Sequence, residues 1–334
     1  MCNRAMKRFD SGVAHGKAGR HQKAIEEFRE ALRIKPDFVQ ACFNLAISYR
    51  DFGDKEAAIG TFKEAIRIDP QYANSYCELG LVYSDIGRQQ EGIRALREGV
   101  EAVSDKEDLS WLYCVLGVLY GGCGQWHEMI DSYEQCASMD SDFSRDMRGH
   151  INSQLGLAYH ELGLWQKVVE VLQEVVTTDP TLSLYHLANA YGQLGRFDEE
   201  MGICHQCIRN DPQNPWAYQS LGRACGRHGD DHKEIEAYKE AIKISPDSAL
   251  AHHALGLSYT RIGRYQEAIE AFKQCIRSNP DHAEAHLNLG IAYIGIEDMN
   301  AALQQYKILK TLDIEQANKL FDQVYKQRSS ANED

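Results

Sequence analysis

Glycine recurs at positions 19, 53 and 87, and again at 195, 229 and 263, each 34 residues after the last. A fixed period of that length, with small and aromatic residues at constant offsets, is the signature of a repeated helix-turn-helix unit. Stacked repeats bury their apolar faces against neighbours, so 334 residues need no single central core. The period therefore predicts an all-α solenoid, with function written on a surface.

Aligning the chain on its turn glycines gives Gly19, Gly53, Gly87, Gly124, Gly163, Gly195, Gly229 and Gly263, with Glu297 in the ninth place. Glycine suits the residue just past a helix because it adopts the left-handed conformation without a Cβ penalty. It separates a first helix, A, from a second, B. Seventeen residues later stand Pro36, Pro70, Pro180, Pro212, Pro246 and Pro280, six of the seven prolines, where helix B must stop. Four residues before each turn sits Tyr49, Tyr83, Tyr120, Tyr159, Tyr191, Cys225, Tyr259 or Tyr293. Three before that, a small residue such as Gly80, Gly117, Gly156, Gly222, Gly256 or Gly290 lets two helices approach.

These positions carry a resemblance. Leu79-Gly80-x-x-Tyr83, Leu255-Gly256-x-x-Tyr259 with Ala268, Phe272 and Pro280, and Leu289-Gly290-x-x-Tyr293 with Ala302 resemble the tetratricopeptide repeat family. The resemblance runs from about Ala5 to Ile314, and the closing segment around Tyr306 and Leu309 is similar to that of bacterial members. It implies a right-handed α-solenoid of about nine units beginning near residues 5, 39, 73, 110, 149, 181, 215, 249 and 283. The array is expected over 1–314, a capping helix over 315–328 built on Ala317, Leu320, Phe321, Val324 and Tyr325, and a disordered tail over 329–334.

The spacing departs from 34 in three places: 37 from Gly87 to Gly124, 39 from Gly124 to Gly163, and 32 from Gly163 to Gly195. The extra residues fall in polar stretches 104–110 and 140–149, which read as lengthened loops. The first repeat has Ser11 and His15 in place of the leucine and tyrosine, which predicts either a frayed start or missing preceding residues.

A formal net charge of −13 argues against a phosphate-tracking surface, so no nucleic acid is expected. The longest apolar run, Trp111 to Tyr120, is too short for a membrane span. The first residues contain no apolar signal segment, and the expected location is the cytoplasm. Cys136, Cys207 and Cys275 share an offset with Ala31, Ala65 and Ala241, so the cysteines read as small core residues.

Catalytic and metal signatures are weak. His127-Glu128-Met129-Ile130-Asp131 lacks the second histidine of a zinc-protease helix. Cys204 and Cys207 have metal or redox spacing, but no second ligand cluster accompanies them. Gly121-Gly122-Cys123-Gly124 lacks the Lys-Ser/Thr of a phosphate loop. The expected function is non-enzymatic, with no cofactor and no metal.

In the family, helix A lines the inner curve and presents its binding residues there. In the fourth repeat those offsets give an apolar strip including Trp111, Cys114, Val115 and Val118. In the sixth they give Tyr185, His186, Asn189 and Gln193, and in the seventh Trp216, Gln219, Ser220, Arg223 and Arg227, with His253 and Arg261 extending a cationic face. Asn44 and Arg50 belong to the same surface in the second repeat. Aromatics, amides and guanidiniums together have interface composition, and Arg can fork onto a carboxylate. The expected partner is a protein or peptide segment, partly acidic. The family's clamp for chaperone tails is broken: Asn44 fits one slot, but Phe9 and Val13 occupy the first pair and Asn74 with Glu78 the last. Two other readings stand beside the scaffold. One is a substrate-recruiting subunit of a larger glycosyltransferase or envelope-assembly system; the other is thiol or metal chemistry at Cys204 and Cys207. Glu200 and Glu234 replace alanines at a close helix contact and must turn outward or find a partner.

Overall fold

The computed structural model describes residues 2–173 and 180–330. They form helices joined by short connections, with no strand among the described residues. In chain order these are α1 (Cys2–Lys17), α2 (His21–Ile34), α3 (Val39–Phe52), α4 (Lys55–Ile68), α5 (Ala73–Asp85), α6 (Gln89–Ala102), α7 (Lys106–Gly122), α8 (Trp126–Ser138), α9 (Asp142–Asp146), α10 (Arg148–Glu161) and α11 (Trp165–Leu172). They continue with α12 (Pro180–Gln193), α13 (Phe197–Asn210), α14 (Pro215–His228), α15 (Asp231–Ile244), α16 (Ala249–Arg261), α17 (Tyr265–Ser278), α18 (Ala283–Gly295), α19 (Met299–Leu312) and α20 (Ile314–Ser330). The chain divides into two compact units, residues 1–179 and 180–334. Within each, helices pair along the chain as an α-solenoid.

The turn glycines do what their spacing predicts. All eight have positive φ, from +67° at Gly124 to +95° at Gly53. After α3, Gly53 N–H donates to the Arg50 carbonyl at 3.0 Å and Asp54 N–H to the Tyr49 carbonyl at 2.9 Å, which satisfies the last carbonyls of the helix. Glu297 makes the same pair of bonds at φ +62°, without glycine's freedom. At the other end of the repeat, Lys35, Asp69, Asp211, Ser245 and Asn279 precede prolines and turn to an extended backbone.

Close packing follows the small residue of helix A. A Cβ at Gly80, Gly117, Gly156, Gly222 or Gly256 would lie 2.5–2.9 Å from Leu96, Tyr133, Leu172, Tyr238 or Phe272, each from helix B of its own repeat. At Gly290 the facing residue is instead Leu320 of α20, at 2.5 Å. The last helix thus supplies the side chain that closes the array. Ala317, Leu320 and Val324 are buried, while Phe321 and Tyr325, expected on the same apolar face, are exposed. The helix continues to Ser330, so the tail expectation reduces to 331–334, outside the described residues.

Three expectations change. Residues 106–110 begin α7 instead of forming a loop, with Asp105 Oδ1 accepting from the amides of Glu107 and Asp108. Residues 142–146 form α9, whose first amides, Asp142 and Phe143, donate to the Glu107 carboxylate at 2.6 and 2.9 Å. Both inserts are helical because their orphan amides find acceptors, Asp105 within the first and Ser141 Oγ together with the distant Glu107 for the second. The first repeat does not fray: Phe9 of α1 packs its ring 5.8 Å from Phe28 and 5.0 Å from Phe38, doing the work of the missing leucine and tyrosine.

Candidate partner-binding face

Unit 2 gathers most of the residues singled out by sequence. Tyr185, Asn189 and Gln193 recur at intervals of four on α12, and Trp216, Gln219, Arg223 and Arg227 at intervals of three and four on α14. Such spacing puts each set on one helix face. The two sets meet at Tyr185 and Trp216, whose ring centroids lie 4.8 Å apart. Both rings are half-buried, Gln219 likewise, and Gln193 is exposed.

The arginines are not free. Glu200 of α13 is fully buried, and Arg223 Nη2 and Arg227 Nη1 approach its carboxylate at 3.6 and 3.5 Å. Burial pushes the Glu200 carboxyl above its ordinary range, against the opposing pull of the two guanidiniums. One carboxylate balances one of two cations, and both guanidiniums keep exposed surface. Room for the carboxylate comes from Gly192, where a Cβ would lie 2.6 Å from Glu200 Oε2 and 2.3 Å from Arg227 Nη1. The next repeat copies the device. Buried Glu234 pairs with Arg261, which also bonds Asp231 at 2.6 Å, and Gly226 leaves the space.

Other predicted residues fall elsewhere. His186 and His253 are buried, so neither extends an exposed cationic face. The His253 ring lies 4.9 Å from His282, and its Nε2 accepts from the Asn288 amide at 3.0 Å; burial pulls its pKa down, favouring the neutral form. Ser220 is also buried. In unit 1, Asn44 donates to the Gln40 carbonyl of its own helix at 2.7 Å, and Arg50 is paired with Glu78 and Asp51. Trp111 is half-buried with its ring 6.5 Å from Phe143 of α9. The apolar strip of the fourth repeat is therefore mostly closed: Cys114 and Val115 are buried and Val118 alone of the three is exposed.

Two residues of the same face escaped notice. Leu250 and Leu257 of α16 are 66% and 41% exposed. The offsets used for the sixth and seventh repeats, applied to the eighth, would have found them. Cys204 and Cys207 are buried, and burial pushes the Cys207 thiol up to about 11 and Cys204 higher still. Both thiols are protonated at neutral pH, which removes the nucleophile. Among the described residues no group of three or more His, Cys, Asp or Glu side chains could hold a metal ion.

Tetratricopeptide repeat models match residues 9–73 and 253–317, 61–94, and 112–143, 183–214 and 217–248, with a further repeat model at 235–263. The chain belongs to the tetratricopeptide repeat family. No curated protein matches it significantly in sequence. Solved structures similar to it include a tetratricopeptide repeat protein from Parabacteroides merdae, 14% identical over 76% of this chain and 98% of that one, with a TM-score of 0.48. MamA from Desulfovibrio magneticus is 20% identical over 52% of this chain and 97% of its own, with a TM-score of 0.47. Yeast Tom70 is 12% identical over 98% and 96%, with a TM-score of 0.46.

Proposed function

We propose that the chain is a non-enzymatic protein-interaction scaffold, and that the helix-A face of unit 2 holds an extended, partly acidic partner segment. The observation that carries this reading is the Tyr185–Trp216 ring pair, flanked over about three helical turns by the amides of Asn189, Gln193 and Gln219 and by Arg223 and Arg227. Rigid aromatic rings supply contact area at low entropic cost, and amides can pair with an extended backbone. At the Glu200 cluster two guanidiniums share one carboxylate, which leaves a local positive charge for an acidic side chain or a C-terminus. Exposed Leu250 and Leu257 offer an apolar continuation. No described helix is long and apolar enough to cross a membrane. Eight buried free thiols among the described residues go with a reducing, cytoplasmic setting.

Selection of displayed random peptides on the whole protein tests this. Selected sequences should be enriched in Asp and Glu and should lose roughly 30-fold or more in affinity to Trp216→Ala, the scale of a hot-spot aromatic. Charge reversal at Arg223 or Arg227 would set a second carboxylate against buried Glu200 and disturb the fold, so Arg223→Gln is the informative change. Peptides indifferent to Trp216→Ala and Arg223→Gln would remove the face from consideration.

A further inference from the structure

On the opposite, helix-B side, consecutive B helices flank grooves floored by the A helix between them. In three of these the tyrosine four residues before the turn glycine lies in the floor with one or two cations over its ring. Lys63 and Arg88 lie 5.6 and 4.8 Å from the Tyr83 centroid, Arg97 lies 5.8 Å from Tyr120, and Lys239 and Arg264 lie 5.8 and 4.8 Å from Tyr259. These grooves enclose 280, 390 and 510 Å³. Between α13 and α15 the pattern breaks at all three positions: Cys225 stands in place of the tyrosine, and His205 and Asp230 stand in place of the cations. The groove there encloses 680 Å³.

The enlarged groove keeps the chemistry of a ring site. Cys225 Sγ and Met201 Sδ lie 3.7 Å apart among its lining atoms, joined by Leu221, Ala237 and the half-buried Tyr218. Sulfur atoms and an aromatic neighbour favour contact with a further aromatic group. Its charged lining residues are Asp198, Glu236 and Glu240 against Lys233, and Lys233 is tied to Asp230 at 2.8 Å. That excess of carboxylates disfavours an acidic ligand and favours a basic one.

We infer that this groove receives a tyrosine or phenylalanine side chain carried on a basic partner segment, the partner's ring replacing the one that Cys225 omits. The site is independent of the helix-A face, and neither reading rests on the other.

The test uses the full chain with ¹³C-methyl methionine and two blocked tripeptides, Lys-Tyr-Lys and Glu-Tyr-Glu. The basic peptide should perturb the Met201 methyl resonance saturably, with a Kd on the order of a millimolar for so small a ligand. The acidic one should bind roughly fivefold more weakly or worse. Cys225→Tyr, which restores the residue of the other repeats, should abolish the perturbation. Gly202→Leu should do the same from the rim, because Gly202 lines the groove and a Cβ there meets nothing within 4 Å; it decides the matter should Cys225→Tyr not fold. No saturable perturbation, equal binding of the two peptides, or binding that survives in the folded variants would overturn the inference.

Discussion

Glu297 holds the left-handed turn that glycine holds in the eight preceding repeats. The left-handed region costs a non-glycine residue about 1–2 kcal/mol, part of which glycine returns as lost chain entropy. Glu297→Gly should therefore raise unfolding stability by about 1 kcal/mol, measured in urea. Tyr133 presents a second local cost: it occupies the offset of Phe28, Phe62 and Phe272, is fully buried, and its hydroxyl has no partner among the described residues. Tyr133→Phe should stabilise by about 1 kcal/mol, the desolvation of an unmade hydrogen bond. Unchanged or lower stability would mean that the hydroxyl is satisfied. Glu200 adds a pH dependence. Its folded pKa is raised above the unfolded value, so the folded state holds the proton more tightly, and its contribution is lost as pH rises from the unfolded pKa through the folded one. Glu200→Gln should raise stability more at pH 7 than at pH 4; an equal effect at both would show that the pair with Arg223 and Arg227 offsets the burial.

At the scale of elements, the repeat is set by close approach between helices A and B. A Cβ at Gly256 would lie 2.5 Å from the ring of fully buried Phe272, which has no room to withdraw. Gly256→Ala should cost about 1–3 kcal/mol by overpacking. Tyr259→Ala, in the same core, should cost roughly 2–5 kcal/mol by leaving a cavity. This level is legible in the sequence because glycine, tyrosine and proline each mark a backbone or packing constraint at fixed spacing. The inserts at 104–110 and 140–149 are not. Polar composition reads as loop, whereas the helix over 142–146 is capped locally by Ser141 and takes its first two amides to Glu107, an acceptor 35 residues away. The same reason hid the state of the arginines. Glu200 and Glu234 stood out as misplaced carboxylates, but their partners lie one repeat further along, and the enabling glycines 192 and 226 resemble ordinary helix residues.

At the scale of the molecule, each unit is a ladder in which the residues that keep the period are consumed by packing, and the proposed partner contacts fall on residues off it. In unit 1 the corresponding face is partly covered by the chain itself, through Phe143 against Trp111, and its Arg50 is paired with Glu78 as Arg223 and Arg227 of unit 2 are with Glu200. Unit 2 leaves its rings, amides and guanidiniums accessible on one face, with Leu250 and Leu257 beyond them. The most direct test is site-specific photo-crosslinking in native extract, with a photoreactive phenylalanine analogue placed in turn at Gln193, Gln219 and Leu257 on the helix-A face and at His232 on the helix-B side. The three helix-A positions should crosslink to one common protein through an acidic segment, identified by mass spectrometry, and His232 should not yield that segment. Crosslinking of the segment from His232 alone, or three unrelated sets of products from the helix-A positions, would contradict the proposed siting.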